Sequence, residues 1–283
     1  FQLDLNPGHI HQGRARGRVD QEVQIAALLV NTMNHRAKHA GVACAMTLNH
    51  RADSGPVFLQ GNGWPHASSP TLKFNLNTRI NFGQKYISRP DGKINIANND
   101  YPTLILGYEK GFAGNESNYN YDFVAGRISY EKSLGNKGTF AINLKGGKFF
   151  NAEEISFVDY RHFNGNQINV SAENRYLNNF NLLPYYSRST NDSYMETHIE
   201  HNFDGFIMNK IPLLNKLKST LIIGYHQLAI PDVKPYQEFS VGLDKLGFGK
   251  FKLLRLDYVR SYNGSQYVGD GFMFGLQLLS IFD

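Results

Sequence analysis

Cysteine is almost missing from this chain: Cys44 is the only one in 283 residues. A single thiol excludes a disulfide framework and a multi-thiolate zinc site built within the chain. Long apolar runs are missing too. The longest, Ile25–Val30, has six residues, against the roughly 18 that a membrane-spanning helix needs. A helical membrane protein is therefore excluded. No block of one charge sign occurs: 29 basic and 24 acidic residues give a net charge of +5, spread along the sequence, so nucleic acid is not an expected partner. There is no P-loop, no GxGxxG at a strand–helix junction and no CxxC, and hence no expected cofactor. No initiating Met or signal peptide precedes Phe1, which reads as a processed or truncated N-terminus.

Aromatic residues are plentiful at 13%, with 19% charged residues and a mean hydropathy of −0.39. Transmembrane β-barrels have such compositions because only every second strand residue must be apolar. A soluble all-β protein can share them. The composition also changes near residue 70. All 16 tyrosines and 18 of the 20 phenylalanines follow it, whereas six of the ten histidines precede it. Between Arg18 and His39 the spacing of Val19, Val23, Ala26, Ala27, Val30 and Met33 suits a helix. Ala52–Pro70 reads as a loop. Residues 1–70 are thus expected to be an irregular or helical appendage or a stretch not native to the gene, and residues 71–283 a uniform β region.

In that region apolar and polar residues alternate. Leu72, Phe74, Leu76, Ile80 and Phe82 interleave with Lys73, Asn75, Asn77, Arg79 and Asn81. Between Tyr194 and Asn202, Met195 and Ile199 stand on one face with Thr197 and His201, and Tyr194, Glu196, His198, Glu200 and Asn202 on the other. A turn-forming block, Gly205–Lys218, then leads to Thr220–Ala229. Further strands are expected at Thr103–Phe112, Tyr121–Lys132, Thr139–Phe150, Tyr236–Leu246, Phe251–Tyr262 and Gly271–Phe282, about nine in all. Most reach ten residues, the length of membrane-barrel strands (about 9–11) rather than of soluble ones (about 5–6). With Gly271–Phe282 ending in the periplasm, the short turns Gly135–Gly138 and Gly247–Lys250 fall inside. Asn151–Asp192, Ala113–Asn120 and Ser261–Asp270 become outer loops, and only Tyr86–Pro102 is long for an inner turn. Arg79, Lys145, Glu196, Glu200, Glu238, Asp244, Arg255 and Asp257 share the face opposite the apolar one. A wet lumen keeps such charges hydrated, while a dry core would penalise each unpaired one by several kcal/mol. If the apolar face instead packed on a second sheet, the same charges would simply face solvent.

Five stretches stand together in order: GQKYISRPDGKIN (Gly83–Asn95), FVDYRHFNGNQ (Phe157–Gln167), NLLPYYSRS (Asn181–Ser189), HIEHNFDGFIMNKIPLLNKLK (His198–Lys218) and LLRLDYV (Leu253–Val259). Through them residues 71–283 resemble the C-terminal barrel of an uncharacterised outer-membrane protein family of the Bacteroidetes. Members of that family carry an N-terminal carboxypeptidase-regulatory-like domain. The resemblance implies an antiparallel transmembrane β-barrel portion in the bacterial outer membrane, with outer-membrane lipid as partner and upstream parts of the same protein lying outside this chain. The family is broadly similar to the barrels of outer-membrane assembly and two-partner-secretion translocators, where a long external loop folds into the lumen. By that likeness Arg161, His162, Phe163, Asn164, Gly165 and Asn166 form the inserted loop tip, with Arg161 reaching a lumen carboxylate.

Residue chemistry offers little else. His35 and His39, with Cys44 and His50, invite a metal reading, but the glutamate of an HExxH motif is missing and solvated histidines are the favoured reading, so no metal is expected. His198 and Glu200 point away from His201 on a strand, so the three cannot converge on one ion. His162 with Ser187, Ser189 and Asp192 could serve a barrel hydrolase, yet no motif fixes them into a triad. Ile211, Leu213, Leu214 and Leu217 either pack beneath the sheet or dock a periplasmic protein. The expectation is a non-enzymatic outer-membrane barrel in transport, secretion or membrane-protein assembly, gated by residues 151–192. A soluble or surface-attached β-sandwich binding glycan or protein is the alternative, and a barrel hydrolase the third reading.

Overall fold

A computed structural model describes residues 42–50, 71–83, 85–90, 92–96, 101–113, 120–165, 168–171, 177–212, 214–248 and 251–277. The strands are β1 (Val42–His50), β2 (Thr71–Asn81), β3 (Lys85–Arg89), β4 (Gly92–Ile96), β5 (Thr103–Ala113), β6 (Tyr121–Ser133), β7 (Thr139–Phe150), β8 (Ile168–Ser171), β9 (Ser193–Asn202), β10 (Thr220–Ala229), β11 (Tyr236–Phe248), β12 (Phe251–Asn263) and β13 (Gln266–Gln277). Among the described residues eleven of them form one sheet in the order β1-β2-β5-β6-β7-β9-β10-β11-β12-β13-β8. Every pairing in it is antiparallel except that of β8 with β13. The protein is all-β, as its alternation requires.

Several boundaries differ from the sequence reading. The sheet is open: β1 and β8 are its edges, so the described residues do not close a barrel. Val42–His50 lies before the compositional change at 70, yet it pairs with β2 along its whole length. The expected polar connection after β2 contains the hairpin β3–β4, a separate two-stranded sheet. The outer loop expected at Ser261–Asp270 is instead a two-residue turn, because β12 runs to Asn263 and β13 starts at Gln266. Gly264 takes the left-handed φ of +61° that such a turn requires. The helix expected over Arg18–His39 and the chain end after 277 lie outside the described residues.

Cross-strand partners share a face, so the ladder registers sort the side chains. One row links Leu221, Leu243, Leu256 and Phe274; a second links Ile223, Val241, Tyr258 and Phe272. The second row is exposed, Val241 to 53% and Phe272 to 64%; the first is half-buried as far as Phe274, exposed to 65%. On the other face a row runs Thr103, Ser129, Asn143, His198, His226, Glu238 and Ser261 across seven strands. A neighbouring row runs Arg79, Ile105, Arg127, Lys145, Glu196 and Leu228. The usual order is inverted: this polar face holds the buried residues, His198 and Glu238 being fully enclosed. Residues described at 161–165 and 177–183 cover them. Phe163, Phe180 and Leu183 from that segment form a cluster with Tyr194, Leu228 and Tyr236 of the strands.

Candidate functional site

The segment is shaped before it meets the sheet. Backbone bonds join Arg161 and Thr190 in both directions (2.8 and 3.1 Å), and the Phe180 amide donates to the Asn164 carbonyl at 2.9 Å. Gly165 is required here, since a Cβ would lie 2.0 Å from the Leu183 carbonyl oxygen. These ties present Asn178, Phe180, Asn181 and Leu182 to the polar rows.

Glu238 takes the largest share of the contacts. One oxygen accepts the Asn181 amide at 2.7 Å; the other accepts the Leu182 amide and the Tyr236 hydroxyl, each at 2.8 Å. A buried carboxylate so supplied needs no cation beside it. Next along the row, the Phe180 ring lies 4.9 Å from His198, 6.3 Å from His226 and 6.0 Å from Tyr236. Beneath it Glu196 accepts from Lys145 Nζ at 2.8 Å and from His198 Nε2 at 3.1 Å. An uncharged His198 that donates through Nε2 accepts through Nδ1, and the His226 Nδ1–H stands 2.8 Å away. Asn178 closes the row by bonding to Asn143, which also accepts from Arg127 Nε at 2.9 Å.

A second ionic cluster lies further along β12. Arg255 donates to Asp257 at 2.7 Å and to Glu200 at 2.9 Å. Gly242, opposite Asp257, leaves the room: a Cβ there would meet Asp257 Oδ1 at 1.9 Å. Asp244 is buried on the same face, whereas Arg79 is exposed.

The loop-tip residues expected at Arg161–Asn166 lie in the segment that covers the polar face, and Asn166 falls outside the described residues. The Arg161 guanidinium approaches Glu196 to 3.9 Å and sits 5.5 Å from the Tyr194 ring. His162 Nδ1 is 2.7 Å from Ser189 Oγ, between the rings of Phe157 and Tyr186. The hydroxyl of Ser187 turns instead to the Pro184 carbonyl. Asp192 makes no bond with His162 among the described residues, so of the suggested set the structure brings together His162 and Ser189. His201 bonds to the Lys137 carbonyl, away from His198 and Glu200. His35 and His39 lie outside the described residues. Among those described, no three His, Cys, Asp or Glu side chains gather around a possible metal.

Phe180, Asn178, Asn143, Arg127 and His226 escaped the sequence reading. His226 was accessible by counting in twos from Thr220 along β10. Phe180 and Asn178 carry no local signal, because their role depends on a fold-back in an irregular stretch. Chemically the arrangement is a covered row of paired polar groups. Its contacts hold a segment down.

Residues 48–243 match the C-terminal domain of a family of unknown function (DUF5686), and the chain belongs to that family. No curated protein matches the chain.

Proposed function

We propose that this family member is the β-barrel portion of an outer-membrane protein with no enzymatic role, working in transport, secretion or membrane-protein assembly. The observation that carries this reading is the inverted sheet: exposed apolar rows on one face, buried charges on the other. In water an uncovered apolar face of this extent is a liability; against acyl chains it is the stable arrangement. Among the described residues the one other sheet, β3–β4, does not pack against it. Strand lengths support the same reading, nine of the sheet strands having 10–13 residues. So do tyrosines on the apolar face whose hydroxyls reach along it to a carboxylate. Tyr108 donates to Asp122, and Tyr258 and Tyr267 donate to Asp270, as amphipathic rings do at a lipid–water boundary.

On this reading the polar rows line a lumen and residues 151–192 are its plug. Passage requires the plug to leave Glu238, His198 and His226, which exposes a row of hydrated polar groups. The test is fractionation of the bacterial envelope. The chain should sediment with outer membranes and come into solution only with detergent. Recovery of residues 71–283 as a detergent-free monomer would support the alternative, a β-sandwich whose apolar face meets another protein layer.

A further inference from the structure

The connection between β9 and β10 folds into two short 3-10 turns, Met208–Lys210 and Leu214–Leu217. It encloses a cleft of ≈ 380 Å³ lined by Asn209, Asn215, Lys218, Ser219, Thr220 and Lys245. Gly205 lets the turn close, because a Cβ there would lie 2.2 Å from the Asn209 amide nitrogen. Lys252 pins the far rim by donating to the carbonyls of Leu217 and Lys218.

We propose that this cleft is a binding site for a phosphate-class oxyanion. Ser219 and Thr220 are only 1% and 6% exposed, and neither hydroxyl finds a hydrogen-bond partner in the protein. Buried hydroxyls are normally satisfied, and one that is not calls for an explanation. Around them stand two ammonium groups. Neither Lys218 nor Lys245 has an ion-pair partner among the described residues. Asp204 is the one carboxylate in the lining. Two ammoniums, two hydroxyls and two carboxamides against one carboxylate repel a metal ion and suit a ligand with several anionic acceptors.

The backbone is bent to make this lining. Lys245 sits in the β-bulge between Leu243 and Leu246 with φ +56°, and Asp204 and Lys218 both have φ +47°. Three of the six described non-glycine residues with positive φ thus line one cleft. Such strain concentrates where side chains are aimed at a ligand. Leu221, the next residue after Thr220, already belongs to the apolar face. The cleft therefore lies at the border of that face, the depth of lipid headgroups if the face lies in a bilayer. Both a phospholipid headgroup and free phosphate offer the required chemistry.

Calorimetric titration in phosphate-free detergent separates these sources. The probes are inorganic phosphate and dihexanoyl phosphatidylethanolamine, with dioctanoylglycerol as the phosphate-free lipid. Asn tolerates left-handed φ, so Lys218→Asn with Lys245→Asn keeps the backbone while removing both ammoniums. Binding of at least one phosphate-bearing probe should weaken by about tenfold or more in that double variant. Lys216→Asn, on the same turn but outside the cleft, should leave it unchanged. Tighter binding of the lipid than of phosphate identifies a headgroup site; phosphate binding alone identifies a free-anion site. Ser219→Ala should raise the melting temperature without ligand yet lose the rise that ligand gives. The proposal is overturned if neither phosphate probe binds, if dioctanoylglycerol binds equally, or if the double variant and Lys216→Asn behave alike. Inorganic phosphate reports on the cleft whether or not the apolar face lies in lipid, so either proposal can fail alone.

Discussion

The two halves of the polar face carry the same kind of residue and meet different fates. In β9–β12, Glu196, His198, Glu200, Glu238 and Arg255 are buried; in β2, Asn77 and Arg79 stand on the same face and are exposed. Local sequence does not separate them, since both halves alternate in twos. What separates them is the segment described at 151–165 and 177–192, which contacts Glu196, His198 and Glu238 and reaches β2 at Lys73, paired with Asp159 at 2.6 Å. Alternation decides which way a side chain points. A distant segment decides whether it meets water.

The largest test of that contrast is Glu238→Ala. It strands the Asn181 and Leu182 amides and the Tyr236 hydroxyl, and should cost about 3–5 kcal/mol. The loss is read from urea unfolding, with faster tryptic cleavage at Arg161 and Arg188 as the segment loosens. Val241→Arg on the exposed face comes next. Against lipid it should cost about 2–4 kcal/mol near mid-depth, measured by folding into vesicles. In water an exposed substitution of this kind would stay within about 0.5 kcal/mol. Gly242→Ala drives a methyl into Asp257 and should cost about 1–3 kcal/mol. It separates Asp257 from Arg255, and the same unfolding assay detects it. Smallest is Arg79→Ala, in the uncovered half, at no more than about 0.5 kcal/mol. A loss there as large as that of Glu238→Ala would erase the contrast between the halves.

The sequence revealed the faces better than the connections. Met195 and Ile199 fell on one side and Glu196, His198 and Glu200 on the other from period-two spacing alone, because a pleated strand leaves no third choice. Connections depend on pairings that spacing does not encode. Gly264-Ser265 is a two-residue hairpin signal, yet the polar residues around it read as a long loop. In the connection after β2, the hairpin of β3 and β4 was hidden by its own polarity, all of β3 being exposed. β1 was masked by a compositional change that does not coincide with the edge of the sheet. Phe180 was beyond reach: its neighbours in space, His198, His226 and Tyr236, are 18 to 56 residues away in the chain.

The central claim is that the apolar rows face acyl chains and the polar rows do not. Spin labels placed singly at Phe239, Ser240, Val241, Leu243 and Asp244 of β11, in a Cys44→Ser background reconstituted in bilayers, test it most directly. At Phe239, Val241 and Leu243 oxygen should relax the label far more than a water-soluble nickel chelate does. At Ser240 and Asp244 that preference should vanish. A label at Val241 that the nickel chelate reaches as readily as oxygen, or that neither reagent reaches, would contradict the claim.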